Sequence, residues 1–356
     1  MRRYCYAIGA LLGLLSPTLM ILLIAAREEE MPRVVSVWPL LAALGTSVAS
    51  WWLQGLIYAL LARPQLKSLR VSDMFRVDMA GLFVALISPI RGAELPYKAY
   101  LLKRLGLSAG EGINLVILRV LLDAIVLTPA ALAALALYGS ALPGVQNPNL
   151  LLTGLVITVT LATFIFLICR RVWRRAGGRT LRPTGTGWQA KAGARVSGFL
   201  KDMHRSFTSY WRPGHRSTLV YAGVLTTVYW AFRLSAGPLA LMAVGWSGEW
   251  IPVVAAQLLL VSFVLPFVPT PGGGGVRELG LAALLSGYVP EGQLLSGLIV
   301  YTGLSHWLPL IASAFFAGHE LWRETFRGGE REGADWEGHT ETPVRSPARR
   351  RTPTVL

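Results

Sequence analysis

The sequence predicts an all-α polytopic membrane protein, with about six full spans and two re-entrant helical hairpins arranged as an inverted repeat. Three observations carry that expectation. The chain of 356 residues is 53% hydrophobic and only 15% charged, where a soluble protein of this size holds roughly a quarter charged residues. Its mean hydropathy is +0.49, and the apolar residues are gathered into runs of membrane-crossing length. Two shorter apolar runs end in charged, proline- and glycine-rich tips, PIRGAELP and VPTPGGGGVREL.

The chain begins MRRYCYAIGALLGLLSPTLMILLIAA, a basic start followed by an apolar stretch. A cleaved signal peptide resembles this, with IAA before REEE as its site, but the apolar stretch is long for a signal core and a retained helix is expected. A span over about 34–61 follows, then the basic loop ARPQLKSLRVSDMFR. Residues 77–90 are too short to cross ~30 Å of hydrocarbon as a helix. They run into the amphipathic, basic RGAELPYKAYLLKRLG, so a segment that enters and returns to one face is expected. Further apolar runs cover about 113–140, 149–169, 217–244 and 293–318, and a second hairpin covers 251–268 and 276–289.

The expected membrane domain is therefore residues 1–318, with a first repeat over about 5–140 and a second over about 149–318. Residues 170–216 read as a basic cytoplasmic loop, and 319–356 as a charged tail whose composition favours disorder. No folded extramembrane domain is expected in either.

The net charge is +15, from 34 Lys and Arg against 19 Asp and Glu. The basic residues sit in loops and tails, not on an amphipathic face, which argues for topology and against a nucleic-acid partner. With both termini cytoplasmic, all but five of the 34 cations (Arg27, Arg33, Arg119, Arg233 and Arg277) fall on the cytoplasmic side. That bias is the positive-inside pattern of a multi-pass inner-membrane protein. The same scheme makes each half read span, span, hairpin, span, in opposite orientation. Cys5 and Cys169 form no CxxC, and the five histidines show no metal-ligand spacing, so neither metal nor cofactor is expected.

Irregular backbone at membrane depth is tolerated only where protein or a wet cavity surrounds it. In the second tip, Pro269 and Pro271 end the incoming helix, since proline lacks a donor and clashes with the preceding turn. Gly272, Gly273, Gly274 and Gly275 permit the reversal and leave N–H groups at a helix start, which attracts anions. Arg277 adds a planar donor fork suited to phosphate, and Glu278 either caps the helix or holds Arg277. A tight turn with a structural ion pair explains the same residues. No Lys-Ser/Thr follows the glycines and no strand precedes them, which excludes nucleotide loops.

Arg91 and Glu94 pose the same alternatives in the first tip. Lys98, Lys103 and Arg104 behind them are placed at anionic headgroups, at about 1 kcal/mol each. Arg119 and Asp123 sit four apart in an apolar run, as a functional pair or a mutual salt bridge. Arg233 has no local acidic neighbour, so a distant carboxylate or an anionic ligand must satisfy it. His306 is expected as a hydrogen-bonded core residue. HExxH, GxSxG and nucleophile–histidine spacings are absent.

These residues resemble the flippase-like membrane-domain family that includes the membrane portion of lysylphosphatidylglycerol synthetase. In the first family region Pro89, Arg91, Glu94, Arg119 and Asp123 match in kind, with Gly92 one place early and Lys98 substituting for an arginine. In the second, Thr270, Pro271, Gly272, Gly273, Gly275 and Glu278 match. Family members often carry an arginine early in the last span, where Thr302 or Gly303 stands here. In the synthetase a soluble aminoacyl-transfer domain follows the membrane region, whereas a short tail follows here. The resemblance implies the lipid-moving half without the aminoacylating half.

The expected function is translocation of an anionic or modified phospholipid or lipid-linked intermediate. Arg91, Glu94, Lys98, Arg119, Asp123, Gly272–Gly275, Arg277 and Glu278 would bind the headgroup. The alternatives are a membrane-bound transferase or accessory subunit acting on a lipid- or isoprenoid-linked sugar, with Glu94, Asp123 or Glu278 as acid or base, and a small-solute transporter. The expected partner is a membrane lipid, with homo-oligomerisation left open.

Overall fold

The computed structural model describes residues 34–66, 69–88, 92–139, 188–210, 215–265 and 270–318, with isolated positions between them. The expected first span, the 149–169 span, the Pro89–Arg91 part of the first tip and the tail lie outside the described residues.

The described residues are helical, with one isolated bridge between Ser286 and Val289 and no strand. Among them, four helices are long and apolar enough to cross a membrane: α1 (Val37–Ala62), α4 (Ala109–Tyr138), α6 (Arg216–Ala243) and α9, which runs Glu291–Gly318 through a π turn at Gly303–Trp307. Each has 26 to 30 residues, roughly 40 Å or more of helix, which exceeds the hydrocarbon thickness and leaves room for tilt. Ile125, Leu137, Val220, Ile311 and Phe315 are exposed on these helices, a surface suited to lipid and not to water. The protein is an all-α integral membrane protein.

Pairs of shorter helices separate the long ones. Between α1 and α4 lie α2 (Val71–Ile87) and α3 (Glu94–Arg104). Between α6 and α9 lie α7 (Trp250–Leu259, continuing as a π turn over Leu260–Val264) and α8 (Val276–Leu285). The order long, short, short, long therefore occurs twice. Helix α2 starts six residues before the apolar run because Asp73 in its first turn accepts from the Arg70 backbone N–H at 3.3 Å. Helix α4 starts at a capping box in which the Ser108 N–H donates to Glu111 Oε2 and the Glu111 N–H to Ser108 Oγ.

The basic stretch read as a loop contains a further helix, α5 (Trp188–Ser209), which packs on the start of α4. Gly110 allows the approach: a Cβ there would lie 2.6 Å from the Phe199 carbonyl oxygen. Asn114 Nδ2 donates to Ser206 Oγ at 2.8 Å, and the Gln65 amide meets Ser206 Oγ and Tyr210 Oη, each at 2.9 Å. Its many cations concealed this helix, since charge count dominates a hydropathy reading.

Apolar packing forms two main cores. One joins α1 to α4 through Ile57, Leu61, Met74, Leu102 and Leu115; the other joins α6 to α9 through Leu241, Leu259, Leu281 and Leu298. The long helices α1 and α6 pack along one another, and α2 meets the Pro271–Gly273 turn. The second tip is thus brought against the end of α2 near Leu86.

Candidate functional site

Between the two halves lies a cavity of about 350 Å³. Its walls come from α1 (Trp51, Gln54, Tyr58), α2 (Asp78, Leu86), α3 (Glu94, Lys98), α4 (Arg119, Asp123), α6 (Tyr229, Trp230, Arg233), the second tip (Thr270, Gly272), α8 (Arg277) and α9 (Ser305).

The first hairpin contributes a buried ion triad. Lys98 Nζ lies 2.9 Å from Asp78 Oδ1 and 2.9 Å from Glu94 Oε2, and 5.5 Å from the centre of the Tyr58 ring. Two carboxylates and an aromatic face offset the loss of hydration that burial imposes on the ammonium. Gly81 makes this possible, since a Cβ there would fall 2.2 Å from Lys98 Cε. Lys98 is 5% exposed and so is not a headgroup-facing surface cation as its sequence context suggested, whereas Lys103 and Arg104 are exposed. Glu94 pairs with Lys98; Arg91 lies outside the described residues. Asp78 was missed by the sequence reading, although an aspartate inside an apolar run is itself a signal.

A second network laces three long helices. Arg119 pairs with Asp123 through Nη1, and its Nη2 donates to Gln54 Oε1 at 2.6 Å. Its guanidinium lies 5.1 Å from the Tyr229 ring centre. Trp230 Nε1 donates to Asp123 Oδ1 at 2.7 Å. Gln54, Arg119, Asp123 and Trp230 thereby connect α1, α4 and α6.

The second tip closes on itself. Gly272, Gly273 and Gly275 have φ of 58°, 73° and 82°, values glycine adopts without strain. Glu278 Oε1 accepts from Arg277 Nε at 3.1 Å, Arg277 Nη2 at 2.6 Å and Thr302 Oγ1 at 3.1 Å. Its Oε2 accepts from the Gly275 N–H at 2.7 Å, and the Gly273 N–H donates to the Thr270 carbonyl at 3.0 Å. The anion at this helix start is the chain's own carboxylate, so the N–H groups of Gly273 and Gly275 are already engaged. Glu278 both caps α8 and holds Arg277, and Thr302 steadies that carboxylate.

Of the four glycines only Gly272 reaches the cavity wall. A Cβ on Gly272 would lie 2.8 Å from Leu86 Cδ2 and 3.2 Å from His306 Nδ1, which shows how closely the second tip approaches α2 and α9. His306 is fully buried, but neither ring nitrogen has a hydrogen-bond partner among the described residues; the same holds for Thr270 Oγ1 and Ser305 Oγ.

The fold therefore brings Glu94, Lys98, Arg119, Asp123, Gly272 and Arg277 to one cavity, while Gly273, Gly274, Gly275 and Glu278 stand behind its wall. Among the described residues no group of three or more His, Cys, Asp or Glu is placed to hold a metal ion. Chemically the cavity offers four cations, three carboxylates, hydroxyls and aromatic faces, an arrangement that can hold a polar group out of hydrocarbon.

A UPF0104 membrane protein of Archaeoglobus fulgidus is 23% identical over 267 residues, which cover 72% of this chain and 78% of that protein. The family model described as the lysylphosphatidylglycerol synthase TM region matches residues 6–313, and this chain belongs to that family.

Proposed function

We propose that the protein moves an anionic or modified phospholipid, or a lipid-linked intermediate, between the leaflets of the inner membrane, with both its termini cytoplasmic. The headgroup enters the cavity while the acyl chains remain in lipid. The observation that carries this reading is that both broken helix pairs contribute buried cations to one polar cavity, Lys98 from the first and Arg277 from the second. Family membership supports it, because the matched region is named for the membrane part of a lipid synthase. The carboxylates on the cavity wall favour holding over acid–base chemistry: Asp78 and Glu94 face Lys98, and Asp123 faces Arg119.

The test is reconstitution into vesicles with a fluorescent phospholipid bleached from outside by an impermeant reductant. The parent protein should bleach the inner-leaflet pool faster than protein-free vesicles, and Arg277→Ala should slow it. Equal bleaching with and without protein removes the reading.

A further inference from the structure

Four cations line the cavity: Lys98, Arg119, Arg233 and Arg277. Three are neutralised by the chain itself, Lys98 by Asp78 and Glu94, Arg119 by Asp123, and Arg277 by Glu278. Arg233 has neither an ion pair nor a hydrogen bond among the described residues. It lies ten residues before the end of α6 at Ala243, about 15 Å along the helix. Arg233 is half-buried on the cavity wall, where a guanidinium presents a full positive charge and five N–H donors. The carboxylates on the wall are engaged elsewhere, Asp78 and Glu94 with Lys98, and Asp123 with Arg119 and Trp230. Among the described residues no carboxylate pairs with Arg233, which leaves its N–H groups open to an anionic ligand.

Two further groups point the same way. Thr270 Oγ1 and Ser305 Oγ are buried on this cavity's lining residues without partners. Arg277 spends Nε and Nη2 on Glu278, leaving Nη1 without a partner among the described residues. Hydroxyls and guanidinium N–H groups together match the oxygens of a phosphate.

We propose that Arg233 is the phosphate anchor of the cavity, assisted by the hydroxyls of Thr270 and Ser305, so that the ligand carries a phosphate group. That the phosphate belongs to a lipid rests on the reading given under Proposed function. The other three cations then shape the cavity, and Arg233 sets its preference for an anion.

The test uses the full chain in detergent, melted with dihexanoylphosphatidylglycerol, with uncharged dioctanoylglycerol or with inorganic phosphate. The parent should be stabilised by the phosphatidylglycerol well beyond the uncharged lipid. Arg233→Gln should need about tenfold more phosphatidylglycerol for the same shift, and without ligand it should melt at or above the parent, because an unpaired charge has gone. Arg233→Lys keeps the charge but loses the planar donor fork, and should bind more weakly than the parent and more tightly than Arg233→Gln. The anchor is overturned if Arg233→Gln responds to phosphatidylglycerol as the parent does, if ligand-free Arg233→Gln melts well below it, or if neither phosphate compound stabilises the parent. Should inorganic phosphate stabilise as well as the lipid, and only through Arg233, the anchor stands and the lipid reading falls. Expected melting shifts with no lipid movement in vesicles also leave the anchor standing without the transport function.

Discussion

Asp78 and Lys98, on the two limbs of the first hairpin, meet at 2.9 Å with both side chains almost wholly buried. The pair ties α2 to α3, and Glu94 joins from the other side. Removing the shared cation leaves two carboxylates facing each other, whereas removing one carboxylate leaves the lysine a partner. Lys98→Met should therefore destabilise by about 3–5 kcal/mol, more than Asp78→Asn. Melting of the purified proteins in detergent gives the order, and the reverse order would refute the shared-cation arrangement.

Glu278→Gln preserves shape while removing the charge on which Arg277 Nε and Nη2, Thr302 Oγ1 and the Gly275 N–H converge. Arg277 would then be a buried cation with no counter-charge, a change that costs about 3–5 kcal/mol. The variant should melt lower and move labelled lipid more slowly. Unchanged values for both would mean that the tip does not depend on this carboxylate.

Gly81→Ala tests the bed on which Lys98 lies. In an ordinary helix interior alanine is better than glycine by about 1 kcal/mol. Here the new methyl would displace Lys98 Cγ and Cε, so a loss of about 1–3 kcal/mol is expected, as for overpacking. A variant that melts above the parent would show that the lysine is free to move aside.

Tyr210 ties α5 to α1 by donating to the Leu61 carbonyl. Tyr210→Phe should lower stability by about 1–3 kcal/mol, since a buried acceptor loses its donor. Burial pushes the Tyr210 phenol above its usual range. A raised value means that folding favours the protonated phenol, so its contribution is intact below pH about 10 and fades as pH rises beyond it. The parent should lose melting temperature more steeply than Tyr210→Phe above that pH; parallel curves would contradict the assignment.

The helical class, the long helices and the broken second tip were legible because hydropathy, proline and glycine act locally. Arg119–Asp123 and Arg277–Glu278 were legible too, since their partners stand four places and one place apart in sequence. Asp78, Gln54 and Trp230 were not, because each finds its partner on another helix, and one sequence does not say which helices touch. Spacing misled at Lys98 in one respect: its place behind a tip suggested an exposed cation at the membrane interface, whereas the side chain is buried on the cavity wall against Asp78 of the neighbouring helix. Helix α5 was hidden by its own charge.

The cavity is walled from both sides of the chain's midpoint, and this makes it indivisible. A fragment that stopped before α6 would inherit Lys98 and Arg119 but neither Trp230, which steadies Asp123, nor Arg233. Compensating substitutions should therefore link distant stretches, Asp123 with Trp230 and Leu86 with Gly272, more tightly than either stretch is linked to its own sequence neighbours.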